Sequence, residues 1–263
     1  MRILFAAAAL IALAAPAQAQ EEGNLRVMAV FAHPDDEVVV APLLARLARE
    51  GAEVHILYAT SGDRGTGFSG LEPGDTLAAL REGEARCAAR ELGIADPVFL
   101  RLGDAMLGVR AHDADSPGER FITALRGAIA EQRPDLVLTW GPDGGYGHAD
   151  HRMVSALTSE VVQAMGEGRP RLLYPGIRAG TLPDRPEMAS WAVTAPELLP
   201  IAEPYEASDR EAAHRAVGCH QSQFDAETRA GLVPLFDAAI WQGAVHLRPA
   251  FAGAPAQAAL AGN

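Results

Sequence analysis

The alternation of strand-like and helix-like segments constrains the fold of this chain more than any other feature of its sequence. Short apolar runs such as "LRVMAVFA" (25–32) and "EVHILYAT" (53–60) are separated by longer segments with helical spacing, such as "TLAALREGEARCAARELG" (76–93). A strand that returns after each helix predicts a mainly parallel sheet, because parallel neighbours need a crossover connection between them.

The same alternation continues through the first two thirds of the chain. We therefore predict an α/β three-layer sandwich with a Rossmann-like, mainly parallel sheet, formed by a single domain from residue 20 to 250. Beyond residue 166 the sequence is rich in proline and predicts short strands and loops, followed by a helix that Ser208 and Asp209 cap. The other predicted elements are strands at 97–102 and 135–140 and helices at 37–50, 118–132, 148–165 and 208–217.

The amino terminus has the pattern of an export signal. Arg2 precedes an apolar run from residue 3 to 15, and Ala17-Gln18-Ala19 forms a small-x-small cleavage site. A membrane anchor is the alternative, but Pro16 and a run shorter than the roughly 18 residues of a membrane span argue against it. We predict a signal peptide at residues 1–19, a secreted or periplasmic mature protein without a stable membrane anchor, and a disordered tail at 251–263.

Charge and cysteine content exclude some functions. Without Arg2 the chain has 21 basic and 34 acidic residues, a formal net charge of −13, which disfavours nucleic acid as a partner. Cys87 and Cys219 lack the paired spacing of a structural zinc site. An oxidising compartment permits a disulfide, but each cysteine lies in a helix-like segment where a lone buried thiol is common, so the sequence favours two separate thiols and leaves pairing open.

Two polar loops contain the residues that we expect to be catalytic. "AHPDDE" (32–37) directly follows the first strand, and "GPDGGYGHADH" (141–151) directly follows "DLVLTW" (135–140). Ligands of an open parallel sheet bind beyond the carboxyl ends of its strands, so both loops are predicted at one edge. The residues brought together there are His33, Asp35, Asp36, His148, Asp150 and His151.

Spacing within the first loop separates the roles of its residues. If Pro34 begins the helix, His33 and Asp36 lie three apart and face one point, while Asp35 is turned aside. With one histidine from the second loop they form a nitrogen, nitrogen, oxygen set with an open position, which is typical of catalytic zinc. The spacing does not choose between His148 and His151. A free carboxylate beside such a metal accepts a proton from the attacking water, so the set predicts hydrolysis.

A purely structural interpretation of these acidic residues is weaker. Carboxylates are favoured at a helix start by its positive end, but that does not explain the three histidines in the two loops. Four further histidines have no such neighbours, and we interpret them as ordinary residues: His55, His112, His214 and His246. The loop "SGDRGTG" (61–67) invites a nucleotide interpretation but lacks the full glycine fingerprint, so we predict that Asp63 and Arg64 lie near a polar substrate instead.

The motifs together resemble the zinc-dependent LmbE-like deacetylases, also called the PIG-L family. The pair "AHPDDE" and "GHADH" is the most specific part of the resemblance, and the other motifs occur in family order. The resemblance implies one Zn²⁺ per chain, with Fe²⁺ as the alternative, bound by His33, Asp36 and His151. It further implies that Asp35 is the general base and that His148 stabilises the oxyanion or protonates the leaving amine. The supporting motifs are "TSGDRG" (60–65), "LREGEARCAARELGI" (80–94) and "CHQSQ" (219–223).

Further residues are assigned by the same resemblance. Asp150 would orient His148, Tyr146 would line the pocket, and Arg81 would contact substrate or serve the scaffold. Glu84 completes an "R..E" pattern with Arg81, and the motif residues His220, Ser222 and Gln223 form pocket wall or scaffold. Many members have a glutamate where this chain has Asp63 followed by Arg64, which leaves the substrate contact of that loop open.

The sequence therefore predicts an exported zinc-dependent deacetylase that hydrolyses the N-acetyl amide of an N-acetylglucosamine-like sugar or glycoconjugate. One alternative is an amidase of another amide, such as a thiol conjugate, and a second is a noncatalytic carbohydrate- or metal-binding protein. Phosphoester hydrolysis is disfavoured, since it usually needs two metals and more carboxylate ligands than the motifs provide. The number of subunits stays open, a homo-oligomer included.

Overall fold

The computed structural model describes residues 24–251, and within them one seven-stranded sheet organises the chain. The strand order is β3-β2-β1-β4-β5-β7-β6, and the first five of these are mutually parallel. The predicted mainly parallel α/β sandwich is confirmed, whereas the predicted leader and tail lie outside the described residues apart from residue 251. The strands are β1 Arg26–Phe31, β2 Glu53–Tyr58, β3 Val98–Phe99, β4 Leu136–Thr139, β5 Arg171–Pro175, β6 Ile201–Pro204 and β7 Ala244–Pro249, and the helices are α1 Ala41–Arg49, α2 Asp75–Leu92, α3 Pro117–Gln132, α4 Ala149–Gln163, α5 Ala207–Cys219 and α6 Ala226–Phe236.

Strand β1 is an interior strand of the sheet, between β2 and β4, and is buried on both faces. Alternate side chains point to opposite faces of a strand, and here Val27, Ala29 and Phe31 enter one apolar core while Met28 and Val30 enter the other. Helices α1, α2, α5 and α6 cover the first face, and α3 and α4 cover the second. A strand that is apolar at every position, without alternating polar residues, thus indicates a sheet covered by helices on both faces, which makes three layers.

The sheet changes its direction of growth between β1 and β4. From β1 the chain adds β2 and β3 on one side and then crosses to place β4 on the other, with Val30 paired to Thr139. Ligands of doubly wound sheets bind at such a switch point, beyond the carboxyl ends of the two strands. The loops at 32–37 and 141–151 follow these two strands, so the topology brings them together.

The carboxyl-terminal third differs from the rest of the sheet. Strand β7 runs antiparallel to β5 and to β6. These three short strands are separated by loops, which agrees with the prediction of short strands and loops beyond residue 166. Helix α5 is capped by Glu206 and Asp209 in a reciprocal box, so the predicted cap at Ser208 is wrong. Helix α6 was not predicted, and Pro234 interrupts its pattern. Within the described residues, none of the helices is long and apolar enough to cross a membrane.

A disulfide joins Cys87 of α2 to Cys219 of α5, across 132 residues of sequence. The expectation of two separate thiols is therefore wrong. The two helices pack side by side over the first face of the sheet, and their Cα atoms at these positions are 5.8 Å apart, which is within the usual range for a disulfide. This proximity is a product of tertiary packing and has no signal in the local sequence.

Candidate active site

Asp36 organises the turn that follows β1. Its Oδ2 atom accepts hydrogen bonds from the backbone N–H groups of Ala32 at 2.9 Å and His33 at 3.0 Å, and from Trp140 Nε1 at 2.9 Å. The helix does not begin at Pro34, as the spacing argument assumed, since a 3-10 turn over Asp36–Val40 precedes α1. The Asp36 carboxylate folds back onto the preceding backbone instead. Its Oδ2 atom is occupied by these hydrogen bonds, so only Oδ1 is available to bind a metal.

The protonation of the two buried histidines follows from their outer contacts. His33 Nε2 lies 3.1 Å from Asp104 Oδ1, and His151 Nδ1 lies 3.1 Å from the carbonyl oxygen of Gly144. Carboxylate and carbonyl oxygens only accept, so these two nitrogens hold the protons. The opposite nitrogens, Nδ1 of His33 and Nε2 of His151, face each other across 3.3 Å and present lone pairs when both rings are neutral.

The three inward atoms form a site that fits a zinc ion. His151 Nε2 lies 3.0 Å and His33 Nδ1 lies 3.8 Å from Asp36 Oδ1. Tetrahedral zinc with bonds of about 2.0–2.1 Å places neighbouring ligand atoms roughly 3.4 Å apart. Burial alone raises the pKa of Asp36, but His151 and His33 outweigh it and hold that pKa well below its usual range, so the carboxylate is anionic. With both histidines neutral, their two facing nitrogens and the anionic oxygen form a donor set that suits a divalent cation.

The geometry also distinguishes His148 from His151, which spacing could not do. His148 belongs to a group with His33 and His151 whose ligand atoms lie within 4.8 Å of one another. However, His148 caps α4, and its Nδ1 accepts the N–H of Asp150 at 3.2 Å. Its Nε2 therefore has the proton and is a donor rather than a ligand. Burial and the neighbouring histidines lower the pKa of His148, so the neutral donor form is favoured.

Asp35 stands beside the three ligand atoms in an unusual backbone conformation, with φ +95°. Glu37 Oε2 accepts its N–H at 3.0 Å, and Arg81 Nη2 donates to its Oδ1 at 3.2 Å. Burial raises the pKa of Asp35 to about 6, with Arg81 opposing the shift and Asp36 adding to it. A carboxylate with that pKa suits proton transfer near neutral pH.

Arg81 lies beneath Asp35 and is 3 % exposed. Besides Asp35, its guanidinium donates to the carbonyl oxygens of Gly62 at 2.9 Å and Pro34 at 2.7 Å. At Gly62 a Cβ atom would lie 2.0 Å from Arg81 Nη1, which explains why the "TSGDRG" loop needs glycine there. Of the two roles left open for Arg81, these contacts favour the scaffold, since they position Asp35 and the two loops, and a contact of Arg81 with substrate stays a prediction.

Glu37, which had no assigned role, joins Asp35 to the carboxyl-terminal motif. Its Oε1 lies 2.5 Å from His220 Nε2, and its Oε2 accepts from Tyr58 Oη at 2.6 Å. Ser222 in the same motif donates through both N and Oγ to Glu84, at 2.7 and 2.6 Å. The "CHQSQ" motif thus acts as scaffold, which decides between the two alternatives that the resemblance left.

Two carboxylates lie behind His33. Asp104, which the sequence reasoning missed, contacts Nε2 of that histidine. Burial raises the pKa of Asp104, but the contact with His33 outweighs burial and lowers that pKa to about 2. Asp104 comes just after β3 at the same edge, so the strand-end argument used for the other loops could have found it. Asp150 Oδ2 accepts from Ala105 N at 2.7 Å and lies 3.6 Å from His33 Nε2. Its side chain was predicted to orient His148 but stands behind His33 instead.

The remaining predicted residues lie at the rim. Asp63 accepts the N–H of Asp104 at 2.9 Å, and the N–H of Arg64 donates to the Asp104 carboxylate at 3.3 Å, which leaves the Arg64 side chain exposed beside the site. Tyr146 is 43 % exposed, and its ring centroid lies 5.0 Å from that of His151. Arg64 and Tyr146 are thus both accessible at the rim of the site, and their contact with a substrate stays a prediction.

These features define an α/β protein with a His-Asp-His set of candidate metal ligands and an adjacent carboxylate at the switch point of its sheet. Residues 28–162, half of the chain, match the model of the PIG-L family, described as GlcNAc-PI de-N-acetylase. The chain belongs to the PIG-L family, as its motifs indicated. A 1D-myo-inositol 2-acetamido-2-deoxy-alpha-D-glucopyranoside deacetylase of Rhodococcus jostii is 34 % identical over 161 residues, which are 55 % of each chain. The chain thus spans about half the length of the curated relatives it matches.

Solved structures agree on the fold over a longer stretch. A deacetylase triple mutant of the teicoplanin biosynthetic pathway superposes with a TM-score of 0.64 at 22 % identity, covering 85 % of this chain and 97 % of that one. GalB, the 4-carboxy-2-hydroxymuconate hydratase of Pseudomonas putida, superposes with a TM-score of 0.61 at 19 % identity, covering 89 % and 100 %. The same fold therefore supports more than one reaction, and the reaction of this chain has to be argued from its site.

Proposed function

We propose that this protein is an exported metal-dependent amidohydrolase that removes the acyl group from the nitrogen of an N-acetylglucosamine-like sugar or glycoconjugate. The observation that supports it best is the triangle of His33 Nδ1, Asp36 Oδ1 and His151 Nε2 with Asp35 at its side. The names of the curated relatives contain an acetamido sugar as substrate, which supports the sugar and an acetyl group. Zinc is the proposed metal because the donor set and spacing fit it, and Fe²⁺ is the alternative.

Each group has a distinct task in this mechanism. The three ligands would hold a divalent metal, which would supply the Lewis acidity that activates water and polarises the amide carbonyl. Asp35 accepts the proton of the attacking water and is held in place by Arg81 and Glu37. The Nε2–H of His148 donates to the amide oxygen as negative charge develops there, and the capped Nδ1 keeps that proton on the inward side. The proton on Asp35 then passes to the leaving nitrogen.

Export is the part of the proposal that rests on the leader sequence. The disulfide between Cys87 and Cys219 supports it, since such bonds persist in oxidising compartments such as the periplasm. Detection of a mature chain beginning near Gln20 in the periplasmic or culture fraction would agree with the proposal. An intact leader on protein confined to the cytosol would contradict it.

Removal of Asp35 provides the central test. Mature protein loaded with zinc is incubated with N-acetylglucosamine and its glycosides, and the free amine is measured with and without a chelator. We expect Asp35→Asn to keep one metal per chain and to lose about 10²–10⁴-fold in kcat, which is the usual contribution of a general base. Asp96→Asn is the matched control, since Asp96 is exposed before β3 at the opposite edge of the sheet.

Two results would contradict these roles. If Asp35→Asn loses its metal, Asp35 is a ligand, and if it keeps full turnover, it is not the base. If the wild-type protein releases no amine from any acylated sugar, the amide lies in a different molecule, such as a thiol conjugate.

A further inference from the structure

A large apolar pocket opens beside Asp35 and Asp36, and Asp104 is not among the residues that line it. Its volume is about 320 Å³. All three tryptophans of the chain, Trp140, Trp191 and Trp241, line it. Pockets of about 300–1,000 Å³ enclose ligands the size of drugs, whereas an acetyl group has two carbons. The pocket is thus far larger than an acetyl group needs.

The aromatic side chains form a continuous row from the metal site to the far end of the pocket. The Trp140 ring stacks on the ligand His151, with centroids 4.3 Å apart and planes 7° apart. From there ring contacts lead on through Tyr146 to Trp191 at 6.1 Å, from Trp191 to Phe236 at 5.9 Å, and from Phe236 to Trp241 at 5.3 Å. A substrate group that extends from the metal site along this row of rings therefore stays in contact with apolar surface.

The rest of the lining is mostly aliphatic and comes from a separate part of the sequence. Val39, Ile177, Leu232, Ile240 and Val245 complete the walls, and all but Val39 lie beyond the residues matched by the family model. Besides the hydroxyl group of Tyr146, few polar side chains interrupt them: Asp35, Asp36, Asp143, Thr194 and His246. The walls offer too few hydrogen-bond partners for a sugar ring, whose hydroxyl groups would be buried unpaired.

The two sides of the metal site therefore suit different halves of an amide. Asp63, Arg64 and His148 lie on the polar side and do not line the pocket. Hydrolysis turns the amide into a carboxylate and an ammonium, and the ammonium with its hydroxylated ring needs the polar side. The carboxylate stays at the ligands, and the chain attached to it extends along the aromatic row.

We propose that this pocket binds the acyl chain of the substrate, and that the preferred substrate is an amino sugar with an N-linked acyl group of about six to ten carbons. The chain length follows from the volume, since a methylene takes up roughly the 30 Å³ share of a water in the liquid, so that about ten groups fill 320 Å³. The inference rests on the proposed function and replaces acetyl by a longer acyl group.

A series of N-acylglucosamines with two, four, six and eight acyl carbons tests the chain length. We expect kcat/KM to rise by up to about fourfold per methylene, the gain from burying one CH₂. Ile177→Trp and Leu232→Trp place an indole in the pocket from partly exposed positions and should bring the eight-carbon to two-carbon ratio close to one. Val109→Trp, on an exposed loop away from the pocket, is the control and should keep the wild-type ratio.

Tryptophan fluorescence provides a readout that is independent of turnover. Since every tryptophan of the chain lines the pocket, octanoate should change the emission of the wild-type protein with saturation, whereas acetate should not. The titration should weaken at least tenfold in Ile177→Trp and Leu232→Trp, and circular dichroism verifies that both variants are folded.

The possible results separate this inference from the proposed function. A kcat/KM that is flat or falls from two to eight carbons would overturn the acyl-chain assignment, although amide hydrolysis itself would stand. A rise with the alkyl length of N-acetylglucosamine glycosides, in place of the acyl length, would assign the pocket to the other half of the substrate and would also overturn it. If no amide is cleaved the proposed function fails, and absence of an octanoate signal would then reject the pocket as well.

Discussion

Replacement of Asp36 by asparagine and by alanine separates metal binding from the folding of the turn. In the structure Oδ2 accepts three N–H groups, whereas Oδ1 faces His151 Nε2 at 3.0 Å. In Asp36→Asn the amide oxygen can keep all three donors, and the NH₂ group donates to the lone pair of His151. That hydrogen bond closes the site against a cation. Asp36→Ala removes the metal ligand too, but leaves three buried donors without a partner.

The two variants should therefore lose metal equally and differ in stability. Each unsatisfied buried donor costs about 1–3 kcal/mol, so three of them lower the free energy of unfolding of Asp36→Ala by at least ~3 kcal/mol relative to Asp36→Asn. For a domain of this size 1 kcal/mol shifts Tm by about 2–4 °C, which predicts a difference of roughly 6 °C or more. Elemental analysis measures metal per chain, and thermal unfolding in the presence of a chelator measures stability.

The reasoning fails under two outcomes. Equal Tm values for the metal-free asparagine and alanine variants would show that the three hydrogen bonds to Oδ2 do not hold the turn. Full metal content in Asp36→Asn would show that Oδ1 is not a ligand. Asp96→Asn again serves as the control, since it should change neither metal content nor Tm.

Three further predictions concern residues around the site and the scaffold. Asp104→Asn should weaken metal affinity about 10–100-fold, as measured by competition with a chromogenic chelator, because a neutral amide holds the neighbouring histidine less firmly; unchanged affinity would refute this role. Replacing Cys87 and Cys219 by serine should lower the free energy of unfolding by about 2–5 kcal/mol, since the bond closes a loop of 132 residues, and urea titration that shows no loss would mean that the bond does not form. Asp209→Asn should lower the free energy of unfolding by roughly 1 kcal/mol at pH 7, because Arg49 and the Glu206 N–H outweigh burial and hold the pKa of Asp209 low. A carboxylate with a lowered pKa stabilises the fold above its unfolded pKa of about 3.9, so the difference between wild type and variant should vanish as the pH falls through the folded pKa. A difference in stability that persists in acid would contradict this prediction.

Strand-end logic located much of the site from sequence because topology determines which loops meet. Once the segments at 25–32 and 135–140 are parallel neighbours, the loops after them must share an edge. The same logic extends to Asp104, whose strand β3 is only two residues long and gives a weak pattern. Local spacing was less reliable, since it assumed a helix from Pro34, whereas backbone hydrogen bonds to Asp36 produce a 3-10 turn.

Features that depend on distant packing had no signal in the sequence. Glu37 and His220 meet across 183 positions, and Cys87 and Cys219 across 132, only after α2 and α5 cover the sheet. His246, which we interpreted as an ordinary residue, lines the apolar pocket because β7 runs beside β5. No periodicity, helix cap or turn motif in the sequence predicts such pairings, and only the three-dimensional structure shows them.

The left-handed backbone conformation of Asp35 creates a conflict at this position between thermal stability and catalytic turnover. Side chains other than glycine rarely adopt φ near +95°, and a residue held there costs on the order of 1–3 kcal/mol. Glycine at this position would relieve the strain and remove a buried carboxylate next to Asp36, so the fold would gain and the chemistry would be lost. A selection for heat resistance alone would therefore drive residue 35 towards glycine, so the aspartate found there is explained by demand for the reaction.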